Sequence, residues 1–150
     1  MNDFKPFDDK LAGLIAALSP TARRKMAADI AKTLRARQQR RIKTQKAPDG
    51  TPYTARKHQP VKAKKGRIKR EMFAKLRTSR FMKATAGNDA AVVEFTGKVQ
   101  RIARIHQYGL KDKPGRNSAA VDYPARGLLG FADDEERFIE KLIITGLAID

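Results

Sequence analysis

Cysteine is missing from this 150-residue chain. A disulfide framework, a thiolate nucleophile and a cysteine-bound zinc are therefore excluded. Tryptophan is missing too, and histidine occurs only at His58 and His106. Two imidazoles among scattered carboxylates give no metal-ligand pattern. The chain has no GxSxG elbow, no HExxH helix and no glycine-rich phosphate loop. The motifs that announce serine hydrolases, zinc peptidases and nucleotide-binding enzymes are thus lacking. No run approaches the roughly 18 consecutive apolar residues of a membrane span. The opening MNDFKPFDDK carries carboxylates where an export signal needs a basic start and an apolar run. The expectation is an intracellular or assembled-particle setting, with no membrane partner and no cofactor.

Acidic residues are scarce in one region above all. Residues 35–83 hold 18 Lys or Arg against only Asp49 and Glu71, a net of +16 out of the chain's +17. So concentrated a field attracts polyanions, whether nucleic acid, an acidic protein surface or a lipid headgroup layer. The segment lacks the continuous apolar helical face with Trp or Phe that would favour a membrane surface. Charge alone does not separate DNA from an acidic neighbouring subunit.

The length fits one domain spanning 1–150. Asp8 is a candidate cap for a short helix carrying Leu11, Leu14, Ile15 and Leu18 at helical spacing. Ser19-Pro20 then reads as N-cap and first helical residue of a second helix reaching about Lys43, with Met26, Ile30 and Leu34 on one stripe. Proline, glycine and lysine dominate from Ala47, and 44–67 reads as an extended basic arm or long loop with a turn at Pro48-Asp49-Gly50. Helix returns over Ile68–Leu76, where Met72, Phe73 and Leu76 share a face. RFMKA at 80–84 and AAVVEFT at 90–96 follow as strands around Gly87-Asn88-Asp89.

VQRIARIHQYG at 99–109 alternates arginine with hydrophobes and reads as a further strand, ending in a fixed corner at His106, Gln107, Tyr108 and Gly109. In that corner Tyr108 would bury its ring while its hydroxyl finds a partner, and Gly109 would allow a turn closed to other residues. His106 and Gln107 would satisfy backbone groups of the next loop. A closing helix from about Asp133 has an acidic first turn, which suits the positive end of its dipole. Phe138, Ile139, Leu142 and Ile143 form its apolar stripe. The expected architecture is α+β: N-terminal helices, a long basic arm, a small antiparallel sheet of three or four strands, and a C-terminal helix packed on it.

Chemistry is weakly represented. His106 has Tyr108 nearby but no nucleophile held by local geometry, and a histidine at a strand end is commonly a hydrogen-bonded structural residue. His58 lies within the basic arm, which disfavours both its protonation and a bound cation. Binding is better supported. TARRKMAADIAKTLRARQQRR would lie well along a phosphate backbone, yet no recognition-helix, zinc-finger or RNA-binding aromatic pattern accompanies the charge. Candidate contacts to DNA or to a neighbouring subunit are Arg40, Arg41, Lys43, Lys46 and Tyr53. Further along the arm, Arg56, Lys57, Lys64, Lys65 and Arg67 join them.

APDGTPYTARK at 47–57, MFAKLRTSRFMK at 72–83, RIARIHQYGLKDK at 101–113 and YPARGLLGF at 123–131 stand in one order along the chain. In that combination the sequence resembles the phage virion-morphogenesis family, the tail-completion proteins of contractile-tailed phages and related prophages. The resemblance implies a non-catalytic structural protein that finishes the tail and joins it to the DNA-filled head. It also implies ring assembly with other copies, and neighbours among tail terminator, tail tube or head-connector proteins. A non-specific contact with genomic DNA is compatible with it. Localisation would be the tail or neck of the virion, with the host cytoplasm during assembly. Matching family positions are Pro48, Asp49, Gly50 and Tyr53, then His106, Gln107, Tyr108 and Gly109, then Tyr123, Pro124, Ala125 and Arg126.

Overall fold

Ser19 and Pro20 set the longest element. In the computed structural model, which describes residues 5–56, 71–87 and 89–148, Ser19 takes an extended conformation and its hydroxyl accepts from the Ala22 amide at 3.1 Å. Pro20, which has no amide proton to leave unsatisfied, starts the helix. This second helix, α2 (Pro20–Lys43), follows α1 (Lys5–Ala16). Asp8 lies inside the first turn of α1 rather than capping it. The buried stripe of α2 is Ala31, Leu34, Gln38 and Ile42. Leu34 is common to the expected stripe, whereas Met26 and Ile30 are only partly covered.

The two expected strands pair as an antiparallel hairpin of β1 (Met82–Ala86) and β2 (Ala91–Phe95), in register from Met82–Phe95 to Ala86–Ala91. Met82 and Phe95 face inward, and α2 lies across both strands. The core forms where these elements meet: Ile42, Met82, Phe95 and Ala103 pack with Tyr53, Met72 and Leu128 from the connecting segments.

Four expectations need correction. Residues 99–107 are helical, within α3 (Gly97–Tyr108), and not a strand. Ala103 and Ile105 are buried and Val99, His106 and Gln107 partly covered, and Val99, Ala103 and His106 follow helical spacing. The arginine–hydrophobe alternation also fits that period, and Gly109 ends a helix, not a strand. Second, no sheet of three or four strands forms among the described residues. The hairpin β1–β2 stands apart from a short pair, β3 (Lys111–Asp112) with β4 (Val121–Asp122), because α3 occupies the intervening chain. Third, residues 71–80 are a series of turns, with Phe73 at φ 68°, and not the end of a helix. Met72, Phe73 and Leu76 still reach the core, while Ile68 lies outside the described residues. Fourth, the closing helix α4 (Glu135–Ala148) packs on α2 and α1 rather than on the sheet, whose inner face α2 already covers.

Candidate functional site

The first part of the basic arm folds back on the body. Gln45 accepts the Tyr53 amide at 2.8 Å through its carbonyl, and Ala47 donates to the Thr51 carbonyl at 2.9 Å. Lys46 and Pro52 form a single bridge. Gly50 closes the tip at φ 88°, donating to the Ala47 carbonyl, while the Asp49 carboxylate accepts from the Thr51 amide at 2.9 Å. That backbone hydrogen bond holds the Asp49 carboxyl below its usual range. Residues 44–56 therefore form a small loop folded on itself. The remainder of the expected arm, 57–67, lies outside the described residues.

Tyr53 pins this loop. Its ring is buried and meets Phe73 edge-on at 5.6 Å, and its hydroxyl donates to the Gly127 carbonyl at 2.9 Å. Burial pushes the phenol up to about 12. Arg126 ties the same layers from the other side: its guanidinium donates to the carbonyls of Thr54 at 2.8 Å and Ala55 at 3.4 Å. Pro48 wedges against the backbone of Gly127 and Gly130. A Cβ at those positions would come within 3.0 and 2.7 Å of its ring.

The corner at 106–109 is the end of α3. The Gln107 side chain accepts from the amides of Leu128 and Leu129 at 2.8 and 3.0 Å, and donates to the Leu129 carbonyl at 2.9 Å. It thereby satisfies backbone groups of the 128–129 segment. Gly109 takes φ 67°, and a Cβ there would lie 2.7 Å from the Ala125 nitrogen, so only glycine fits. The His106 carbonyl accepts the Arg126 amide at 2.7 Å. Its ring is sandwiched edge-on between Phe73 and Tyr123, and Nδ1 is buried with no hydrogen-bond partner among the described residues. Burial, with Arg126 and Arg56 nearby, pushes the imidazole below its ordinary range, while Asp112 pulls the other way. Tyr108 is not buried as expected: it is 67% exposed, and Tyr123 supplies the packed ring instead. Pro124, also in this corner, is partly covered.

Among the basic candidates, Arg40, Lys43 and Lys46 are exposed. Arg56 is exposed as well, near His106. Lys57, Lys64, Lys65 and Arg67 lie outside the described residues. Arg41 is drawn inward. It donates to the Glu135 carboxylate at 2.8 Å, to the Leu128 carbonyl at 3.1 Å and to the Gln38 side-chain oxygen. Glu135 is 1% exposed. It also accepts from Gln38 at 3.1 Å and from the Ala132 amide at 2.9 Å, so its charge is paired and hydrogen-bonded on several sides. Sequence reading missed this cluster, although Gln38 on the apolar stripe of α2 was its visible trace.

Among the described residues, no group of three or more His, Asp or Glu side chains is placed to hold a metal ion. No described helix is long and apolar enough to cross a membrane. Gln107 and Arg126 spend their polar side chains on backbone groups of neighbouring segments, an arrangement that fixes shape. Residues 2–148 match the model of the phage virion morphogenesis family. The chain is 51% identical over 148 residues to tail completion protein S of Escherichia phage P2, covering 98% of this chain and 99% of that protein. No solved structure matches it. With both its family model and a relative covering nearly its whole length, the chain belongs to the phage virion morphogenesis family.

Proposed function

We propose that this protein is a non-enzymatic, single-domain structural component of a phage tail, required to complete the tail and support its joining to the head. The observation that carries the reading is the near full-length similarity to tail completion protein S of phage P2. The structure supports it by the way Gln107, Arg126 and Glu135 are engaged in holding segments together. Other copies, arranged in a ring, and neighbouring tail terminator, tail tube or head-connector proteins are the proposed partners. Exposed Arg40, Lys43, Lys46 and Arg56, with Lys57, Lys64, Lys65 and Arg67, are the proposed contact residues. Arg41 serves by tying α2 to the 128–135 segment, and Tyr53 by fixing the loop that carries Lys46 and Arg56. The protein would act in the tail or neck of the virion. Removing its gene from the encoding phage or prophage should leave DNA-filled heads beside unfinished tails, with infectivity restored by expression in trans. A normal yield of infectious particles without the protein would refute the role.

The net of +16 over residues 35–83 favours a second reading, an accessory DNA-binding protein outside the finished virion. Neutralising Arg40, Lys64 and Lys65 would then weaken binding alike on unrelated DNA sequences. It would also flatten the salt dependence by about 0.9 in logarithmic slope for each phosphate that is no longer neutralised. Arg41 is excluded from that set because of its bond to Glu135.

A further inference from the structure

The two most exposed large hydrophobic side chains among the described residues are Tyr108, 67% exposed, and Phe131, 63% exposed. Each stands beside unpaired charge, of opposite sign in the two cases. Tyr108 lines an open groove of about 800 Å3 between β2 and α3, floored by Phe95, Ala103 and Leu129. Arg101 and Arg104 line it on α3. Arg101 is shared with Asp112, while Arg104 is exposed and forms no ion pair among the described residues. Among the described residues, Glu94 is the one carboxylate that lines the groove. Phe131 opens the segment FADDEE, in which Asp133 and Glu136 are exposed and likewise form no ion pair among the described residues.

We propose that the α3 groove receives the 131–136 segment of a second copy of this chain, Phe131 meeting Tyr108 and the apolar floor while Asp133 and Glu136 meet Arg101 and Arg104. The identity of the occupant rests on charge. Copies carrying +17 repel one another, so a self-contact must bring exposed carboxylates onto exposed guanidinium groups. Residues 131–136 offer those carboxylates together with an exposed aromatic anchor. Tyrosine and arginine around an apolar floor is the composition that dominates binding energy at protein interfaces. The proposal deepens the tail-assembly reading and rests on it for the expectation of self-assembly.

Charge reversal on purified full-length protein tests the contact, with oligomer size followed by sedimentation velocity over a range of concentrations. Arg104→Glu alone and Glu136→Lys alone should each weaken self-association at least tenfold. Combining them in one chain should restore it to within about threefold of the original, since the new charges again match. Tyr108→Ser and Phe131→Ser, both at exposed positions, should weaken association while leaving circular dichroism and thermal unfolding unchanged. Single reversals without effect, a folded double variant that fails to recover, or a wild-type protein that stays monomeric would each overturn the proposal. It would also fall if Arg104→Glu lowered affinity for a DNA duplex and left self-association intact, because the groove would then be a nucleic-acid surface. Detection of the protein in virions distinguishes the two levels. A failed charge swap in a protein that is nonetheless incorporated removes this contact alone, and a successful swap in a protein absent from virions removes the tail role alone.

Discussion

Arg41 on α2 and Glu135 at the start of α4 meet at 2.8 Å across 94 residues of sequence. Glu135 is almost wholly covered, and burial pulls the Arg41 guanidinium below its usual range while the carboxylate opposes that shift. The pair ties the helical side of the molecule to the 128–132 segment through the Leu128 carbonyl and the Ala132 amide.

Glu135→Ala should destabilise the fold by about 3–5 kcal/mol, because it strands a largely desolvated guanidinium. Replacing both partners, Arg41→Met with Glu135→Leu, should cost less than that single change. Urea unfolding of the three proteins measures the difference, and a double variant as weak as the single one would argue against stranded charge as the cause.

Tyr53→Phe removes the bond to Gly127 and should lower stability by about 0.5–1.5 kcal/mol without altering the fold. The wild-type phenol, raised to about 12, favours its neutral form in the native state. Its contribution is therefore complete below pH about 10, the ordinary tyrosine value, and disappears as pH rises through about 12. Ultraviolet titration should show one tyrosine ionising late, near that raised value, and the late step should vanish in Tyr53→Phe.

Gly109→Ala combines a left-handed backbone with a 2.7 Å approach to the Ala125 nitrogen. A loss of at least about 1 kcal/mol should follow, read as a lower thermal midpoint. Gly50→Ala has the same kind of backbone but open space around its Cβ, so it should cost less.

His106 has a depressed imidazole pKa caused first by burial and then by Arg126 and Arg56. Its neutral form contributes stability above the ordinary value of about 6.5, and that contribution is lost as pH falls through the lower native value. His106→Phe, which keeps a ring between Phe73 and Tyr123, should flatten this acid-side loss in pH-dependent unfolding.

Much of the helical frame can be read from local chemistry. Ser19-Pro20 announces α2, and the glycine turn after β1 announces the hairpin, because caps and turns are decided by near neighbours. The 99–109 stretch is ambiguous because its arginines and hydrophobes satisfy both periods, and only the packing of Val99 and Ala103 against the core selects helix. Gln107 and Gly109 are legible as corner residues even with the wrong element assigned, since an amide that bonds backbone and a left-handed glycine serve at the end of either. Tyr108 departs from its expected burial because a helix turns residue 108 outward, and Tyr123 packs on His106 in its place. The Arg41–Glu135 pair joins positions 94 residues apart, and no local pattern encodes such a meeting.

Mass spectrometry of purified, infectious particles tests the tail role most directly. The protein should be found in complete tails at a fixed number of copies per particle, and tails assembled without it should fail to join filled heads. Its absence from infectious particles that were assembled while it was abundant in the cell would contradict that role.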